Sequence, residues 1–176
     1  YIFHPLAPAR MHALLPDVRL ILLLRDPVER ALSHYFHQSR KGRERLPVAE
    51  AMAREEERLA PALAAGDYKH RHFSLFSYKL RGHYAEQIRR YRQYFRPEQM
   101  MVMGSEEFFA APNEALASVC RFVGVADGFR VANLQPRNVG SNRTSVDTAV
   151  YDDLRRYFQP HNQDLFELLG RRFDWS

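Results

Sequence analysis

The stretch Leu20-Ile21-Leu22-Leu23-Leu24-Arg25-Asp26-Pro27 constrains this chain more than any other. Five aliphatic residues in succession, closed by a turn signal, suit a strand buried on both faces, as in a parallel sheet covered by helices. The run ends on an arginine, and a helix start follows at once. Asp26 stands at the N-cap, Pro27 at the first helical position and Glu29 at the third, which is the pattern of a capping box. Val28, Leu32, Tyr35 and Phe36 then lay an apolar stripe along that helix.

The rest of the chain alternates in the same way. Pro5, Pro8 and Pro16 punctuate the first residues, with a short helical piece over 10–15. A helix is predicted over 48–63, its Glu55-Glu56-Glu57-Arg58 run reading as a solvated face. A stronger helix is predicted over 77–95 through Leu80, Tyr84, Ile88 and Tyr91, and a second buried strand over 100–103. A helix over 112–122 stops at Gly124. Residues 131–144 read as polar and irregular, and Pro160 separates helices over 148–158 and 161–169. Strand and helix in alternation predict one α/β domain over residues 1–176. The single cysteine, Cys120, allows no intrachain disulfide and reads as a core residue. No apolar run approaches the roughly 20 residues of a membrane span. No targeting segment is visible, so a cytoplasmic location is the expectation for a bacterial-like protein. Tyr1-Ile2-Phe3 begins as if within a protein, and an N-terminally incomplete domain is expected.

Lys plus Arg number 26 against 21 Asp plus Glu, a net charge of +5. Such a balance favours anionic partners without choosing among nucleic acid, nucleotides, acidic glycans and phospholipid headgroups. Position is more informative than charge. In an open α/β sheet, ligands bind beyond the carboxyl ends of the strands. Arg25 lies at such an end, facing the same crevice as the free N–H groups of the following helix. Its guanidinium can hold a phosphate in a bidentate fork, and Ser33, almost two turns into the helix, can add a hydroxyl donor. The plain alternative is that Arg25 pairs with Asp26 or Glu29, and that Ser33 is a small packing residue.

RDPVERALSHY, with Arg25-Asp26-Pro27, Arg30 and Ser33, resembles the 3′-phosphate-binding segment of sulfotransferases that use 3′-phosphoadenosine 5′-phosphosulfate (PAPS). Three further blocks resemble the heparan sulfate sulfotransferase branch. They are RGHYAEQIRRYRQYFRPEQMMVM (81–103, with Tyr91 in place of the usual tryptophan), EEFFAAPNEALASVCRFVGV (106–125) and LRRYFQPHNQDLFELLGRRFDW (154–175). The resemblance implies a three-layer, P-loop NTPase-like parallel sheet flanked by helices. It implies PAPS as donor and 3′-phosphoadenosine 5′-phosphate (PAP) as product, with Arg25 and Ser33 on the 3′-phosphate. In the loop PRNVGSNRTS, Ser141 and Arg143 are the nearest matches to a segment that closes over the donor phosphate, although the Lys-Gly pair of that segment is absent. No stretch fits the phosphosulfate loop or the catalytic base, and both are expected upstream of Tyr1.

The implied chemistry is in-line transfer of SO₃ to an acceptor hydroxyl or amine, with a base taking the acceptor proton. No metal is implied. His34 and His37, three apart on one helix, read as packing or solvent-facing residues. The resemblance points to a carbohydrate acceptor; residues 40–76, with Lys69, His70, Arg71 and His72, suit either a cleft for an anionic glycan or plain solvent exposure. Two other readings stand beside this one. A P-loop kinase or nucleotide-binding protein shares the architecture, but no G-x-x-x-x-G-K-[ST] is present. A nucleic-acid-binding module is suggested only by the charge and by Tyr68, Phe73 and Phe76, which read better as core, so no nucleic-acid partner is expected.

Overall fold

The computed structural model describes residues 2–132 and 146–175. Helix α1 (Ala7–Leu14) leads to strand β1 (Leu20–Leu24) and helix α2 (Pro27–Arg40). Helices α3 (Val48–Ala53), α4 (Glu55–Ala64) and α5 (Arg71–Phe76) follow. After a 3₁₀ turn at Leu80–Gly82 come α6 (Tyr84–Arg92), strand β2 (Met100–Gly104), α7 (Ser105–Ala110), α8 (Pro112–Val123) and α9 (Thr148–Leu169). Strands β1 and β2 pair in parallel, Leu20 opposite Met100 and Leu24 opposite Gly104. The carboxyl ends of both strands therefore lie side by side.

Because side chains alternate across a strand, β1 splits its leucines between two layers. Leu20, Leu22 and Leu24 are buried with Tyr84, Ile88, Tyr91 and Phe95 of the α6 segment, Leu165 of α9 and Phe173. Ile21 and Leu23 remain 44% and 47% exposed, which corrects the expectation of a strand buried on both faces. On that second face, α7 and α8 leave an open groove of about 300 Å³ against Met101 and Met103. No residue of α8 is buried, and Cys120 is half-buried where a core position was expected. Gly124 does end α8, with φ 82° in the left-handed region.

A second core joins α2 (Val28, Leu32, Tyr35) to α3, α4, α5 and the first half of α9 (Leu154, Phe158). Helix α9 belongs to both cores, and this explains why Pro160 does not divide it. Phe158 before the proline and Leu165 after it are both fully buried. Packing on either side outweighs a missing backbone donor. The expected helix over 77–95 is cut back to Tyr84 for the opposite reason. Tertiary polar contacts hold the chain in a non-helical path. The Glu55 carboxylate accepts the backbone N–H groups of Lys79 (2.5 Å) and Leu80 (2.8 Å), and Arg30 donates to the Tyr78 carbonyl. Glu55 is thus buried rather than part of a solvated run, and the expected 48–63 helix breaks at Arg54. Burial pushes the Glu55 carboxyl above its ordinary range, against the pull of those two amide bonds.

Candidate functional site

Arg25 follows the last residue of β1, and its side chain is one-third exposed. The backbone at this point is fixed from three directions. The Tyr84 hydroxyl donates to the Arg25 carbonyl at 2.9 Å. Asp26 caps α2, its Oδ1 accepting from the N–H groups of Val28 (2.7 Å) and Glu29 (3.2 Å). The Asp26 N–H turns to the Glu106 carboxylate at 3.4 Å. The capping box is therefore half of what the sequence suggests: the residue reaching the Asp26 amide comes from α7, not from Glu29. Glu106 also accepts from the Ser105 hydroxyl (3.0 Å) and from Trp175 Nε1 (3.3 Å). It ties the ends of both strands to the C-terminal segment.

This arrangement has electrostatic consequences. Burial raises the Asp26 carboxyl above its usual range, with the negative charges of Glu29 and Glu106 adding to the rise and the capping amides opposing it. Burial pushes Tyr84 up to about 12, so its hydroxyl stays a donor to the Arg25 carbonyl at neutral pH. Arg30, the second arginine of the segment, is lowered by burial and spends its guanidinium on the Tyr78 carbonyl, a supporting contact on the loop before α6.

Arg25 Nη2 lies 3.4 Å from Glu29 Oε2, so the pairing weighed as the plain alternative is formed. Ser33, however, is exposed rather than packed. Glu29 and Ser33, four apart, share one side of α2, and Arg25, just before the N-cap, reaches the Glu29 end of that side. The strand end, the arginine and the helix N-terminus therefore lie together at the start of α2, and Ser33 is exposed farther along the same helix. Ser141 and Arg143 lie outside the described residues. Tyr84, Glu106 and Trp175 are the site contributors that sequence reasoning did not single out, although all three stand inside the quoted blocks. Their signal was present, but nothing local said that a tyrosine on α6 would reach the Arg25 carbonyl.

The neighbouring histidines divide. His37 is exposed. His34 is half-buried, packs edge-on against Tyr78 and contacts Gln38, and burial pushes it down to about 3, so it stays neutral. Farther out, Glu44 organises residues 40–76. It takes hydrogen bonds from Arg58 (2.7 Å) and Tyr78 (2.8 Å), while Arg58 lies 3.5 Å over the Phe76 ring. Phe73 and Phe76 are core residues, as expected, whereas Lys69, Arg71 and His72 are exposed.

A parallel strand running into a capped helix with an arginine at the junction defines an α/β protein whose strand ends carry a basic side chain. Residues 3–138 match the family model described as the sulfotransferase domain, and the chain belongs to that family. It is 24% identical to human heparan sulfate glucosamine 3-O-sulfotransferase 3B1 over 97% of its own length and 46% of that protein's. It is 25% identical to mouse heparan sulfate glucosamine 3-O-sulfotransferase 6, over 97% of the chain and 53% of the relative. The chain spans about half the length of these curated relatives. A crystal structure of a sulfotransferase from Alicyclobacillus acidocaldarius matches with a TM-score of 0.79 and 32% identity, covering 98% of this chain and 63% of the other. The match supports the sulfotransferase fold with its parallel sheet flanked by helices, and it favours neither the kinase nor the nucleic-acid reading.

Proposed function

We propose that this chain carries the 3′-phosphate half of the PAPS site of a sulfotransferase whose acceptor is a glycan hydroxyl or amine. The observation that carries the reading is the placement of Arg25 at the carboxyl end of β1, its carbonyl held by Tyr84 and the next residue capping α2. The guanidinium would pair with the 3′-phosphate, and the Ser33 hydroxyl would donate a second hydrogen bond. Ser141 and Arg143 would close over the donor, as the resemblance implies. No residue of this chain is proposed for the phosphosulfate loop or for the base that accepts the acceptor proton. The exposed Lys69, Arg71 and His72 suit an acidic acceptor, and the names of the heparan sulfate relatives support a glycan.

The test is calorimetric titration of PAP into the protein at its natural length. Arg25→Ala should weaken binding by more than Ser33→Ala, because a charge-assisted contact contributes roughly 1.5–3 kcal/mol against about 1 kcal/mol for a neutral hydroxyl. Unchanged PAP affinity in a folded Arg25→Ala variant would remove the reading.

A further inference from the structure

A second cluster of chemically capable side chains lies where the start of α6 meets the middle of α9. His83 is the residue before α6, Glu86 stands in the first turn of that helix, and His161 comes from α9. One ligand atom from each of the three lies within 4.8 Å of the other two. His83 Nδ1 is 3.5 Å from Glu86 Oε1, and the two imidazoles stack with centroids 3.8 Å apart and planes 17° from parallel. The other nitrogen of His83, Nε2, contacts the Tyr157 hydroxyl at 2.9 Å.

We propose that His83, Glu86 and His161 form a binding site for a divalent transition metal of the zinc class, clipping α6 to α9. The donor set is two imidazoles and one carboxylate, which suits zinc, nickel or cobalt and leaves a fourth position for water. The Tyr157 hydroxyl fixes the far nitrogen of His83, the kind of outer contact that orients a ligating histidine. It can accept from Nε2–H, which leaves the Nδ1 lone pair turned toward Glu86, an arrangement that a cation between them would satisfy. Bonds of about 2.0–2.1 Å place tetrahedral ligand atoms roughly 3.3 Å apart. Closing from the present spacing asks for small side-chain rotations that unstack the rings, and the exposed Glu86 can swing in from solvent. Asp164, one turn beyond His161, is held by Arg89 at 2.6 Å and is not counted as a ligand. The site has no part in sulfuryl transfer as proposed above and stands independently of that reading.

The experiment uses the protein at its natural length, stripped with a chelator. Zinc chloride titrated calorimetrically should bind with one equivalent and raise the melting temperature, because a ligand specific to the folded state stabilises it. Cobalt should give visible d–d bands of tetrahedral type. Glu86→Gln and His161→Asn should each weaken zinc binding about tenfold or more, while His70→Asn with His72→Asn, at the other close histidine pair, should leave it unchanged. Should His161→Asn fail to fold, Glu86→Gln carries the test alone, since that side chain is exposed. Absence of saturable uptake, uptake indifferent to Glu86→Gln and His161→Asn, or uptake lost with His70 and His72 would each overturn the site.

Discussion

At the scale of single residues, Glu29 holds an ambiguous place. It sits at the third position of α2, where a negative charge is favourable to the helix dipole by about 0.3–1 kcal/mol. It also faces the arginine that an incoming phosphate would need. The pair is part exposed, so its own worth is small, roughly 0.3–0.5 kcal/mol for four-apart pairs. Phosphate should displace it. Glu29→Gln removes both the competitor and a like charge beside the anion. The expected result is PAP binding tighter by about two- to fivefold, together with a slight loss of melting temperature from the weakened helix start. Weaker PAP binding in this variant would mean that Glu29 positions Arg25 rather than competing for it. The sequence made Arg25, Asp26 and Ser33 visible because their meaning is local: a strand end, a cap and a helical repeat. It hid Glu106 and Glu55. A carboxylate whose partners are backbone amides tens of residues away looks like any surface acid until the chain is folded.

At the scale of elements, what could be read was periodicity, and what failed was termination. The α2 helix, both strands and the Gly124 stop follow from patterns within a few residues. The start of α6 and the continuity of α9 do not, because both depend on contacts between distant segments. Gly82 lies where α9 crosses the entry to α2. A Cβ built there would stand 2.6 Å from Phe158 Cε1 and 2.9 Å from Pro27 Cβ. Both neighbours are fully buried and cannot give way freely. Gly82→Ala is therefore an overpacking change, expected to cost about 1–3 kcal/mol. In a chain of this size each kcal/mol corresponds to roughly 2–4 °C of melting temperature. Equilibrium denaturation with urea measures it directly, and a midpoint equal to that of the parent protein would show that the crossing relaxes freely around an added methyl group.

At the scale of the whole molecule, the two faces of the sheet are unequal. One is sealed by α6, α9 and the segment around Phe173. The other offers Ile21 and Leu23, each nearly half exposed, beside the open groove at Met101 and Met103. Parallel strands are ordinarily covered on both faces. Among the described residues, β1 and β2 pair only with each other, so each also has an outer edge with free backbone groups. Fully burying an aliphatic side chain contributes about 1.5–3 kcal/mol, and roughly half of that remains to be gained at each of these two, which gives the face a tendency to find a cover. Expressed as these 176 residues alone, the chain should therefore self-associate with rising concentration, seen as a growing sedimentation coefficient in velocity ultracentrifugation. Replacing Ile21 and Leu23 together by threonine keeps the strand character of Ile21's β-branch while removing most of the apolar area. It should shift the isolated chain toward monomer. In a longer protein whose own residues cover this face, the same double change should instead lower stability and leave the oligomeric state alone. An isolated chain that stays monomeric at every concentration, with or without the two threonines, would mean that this face is not adhesive.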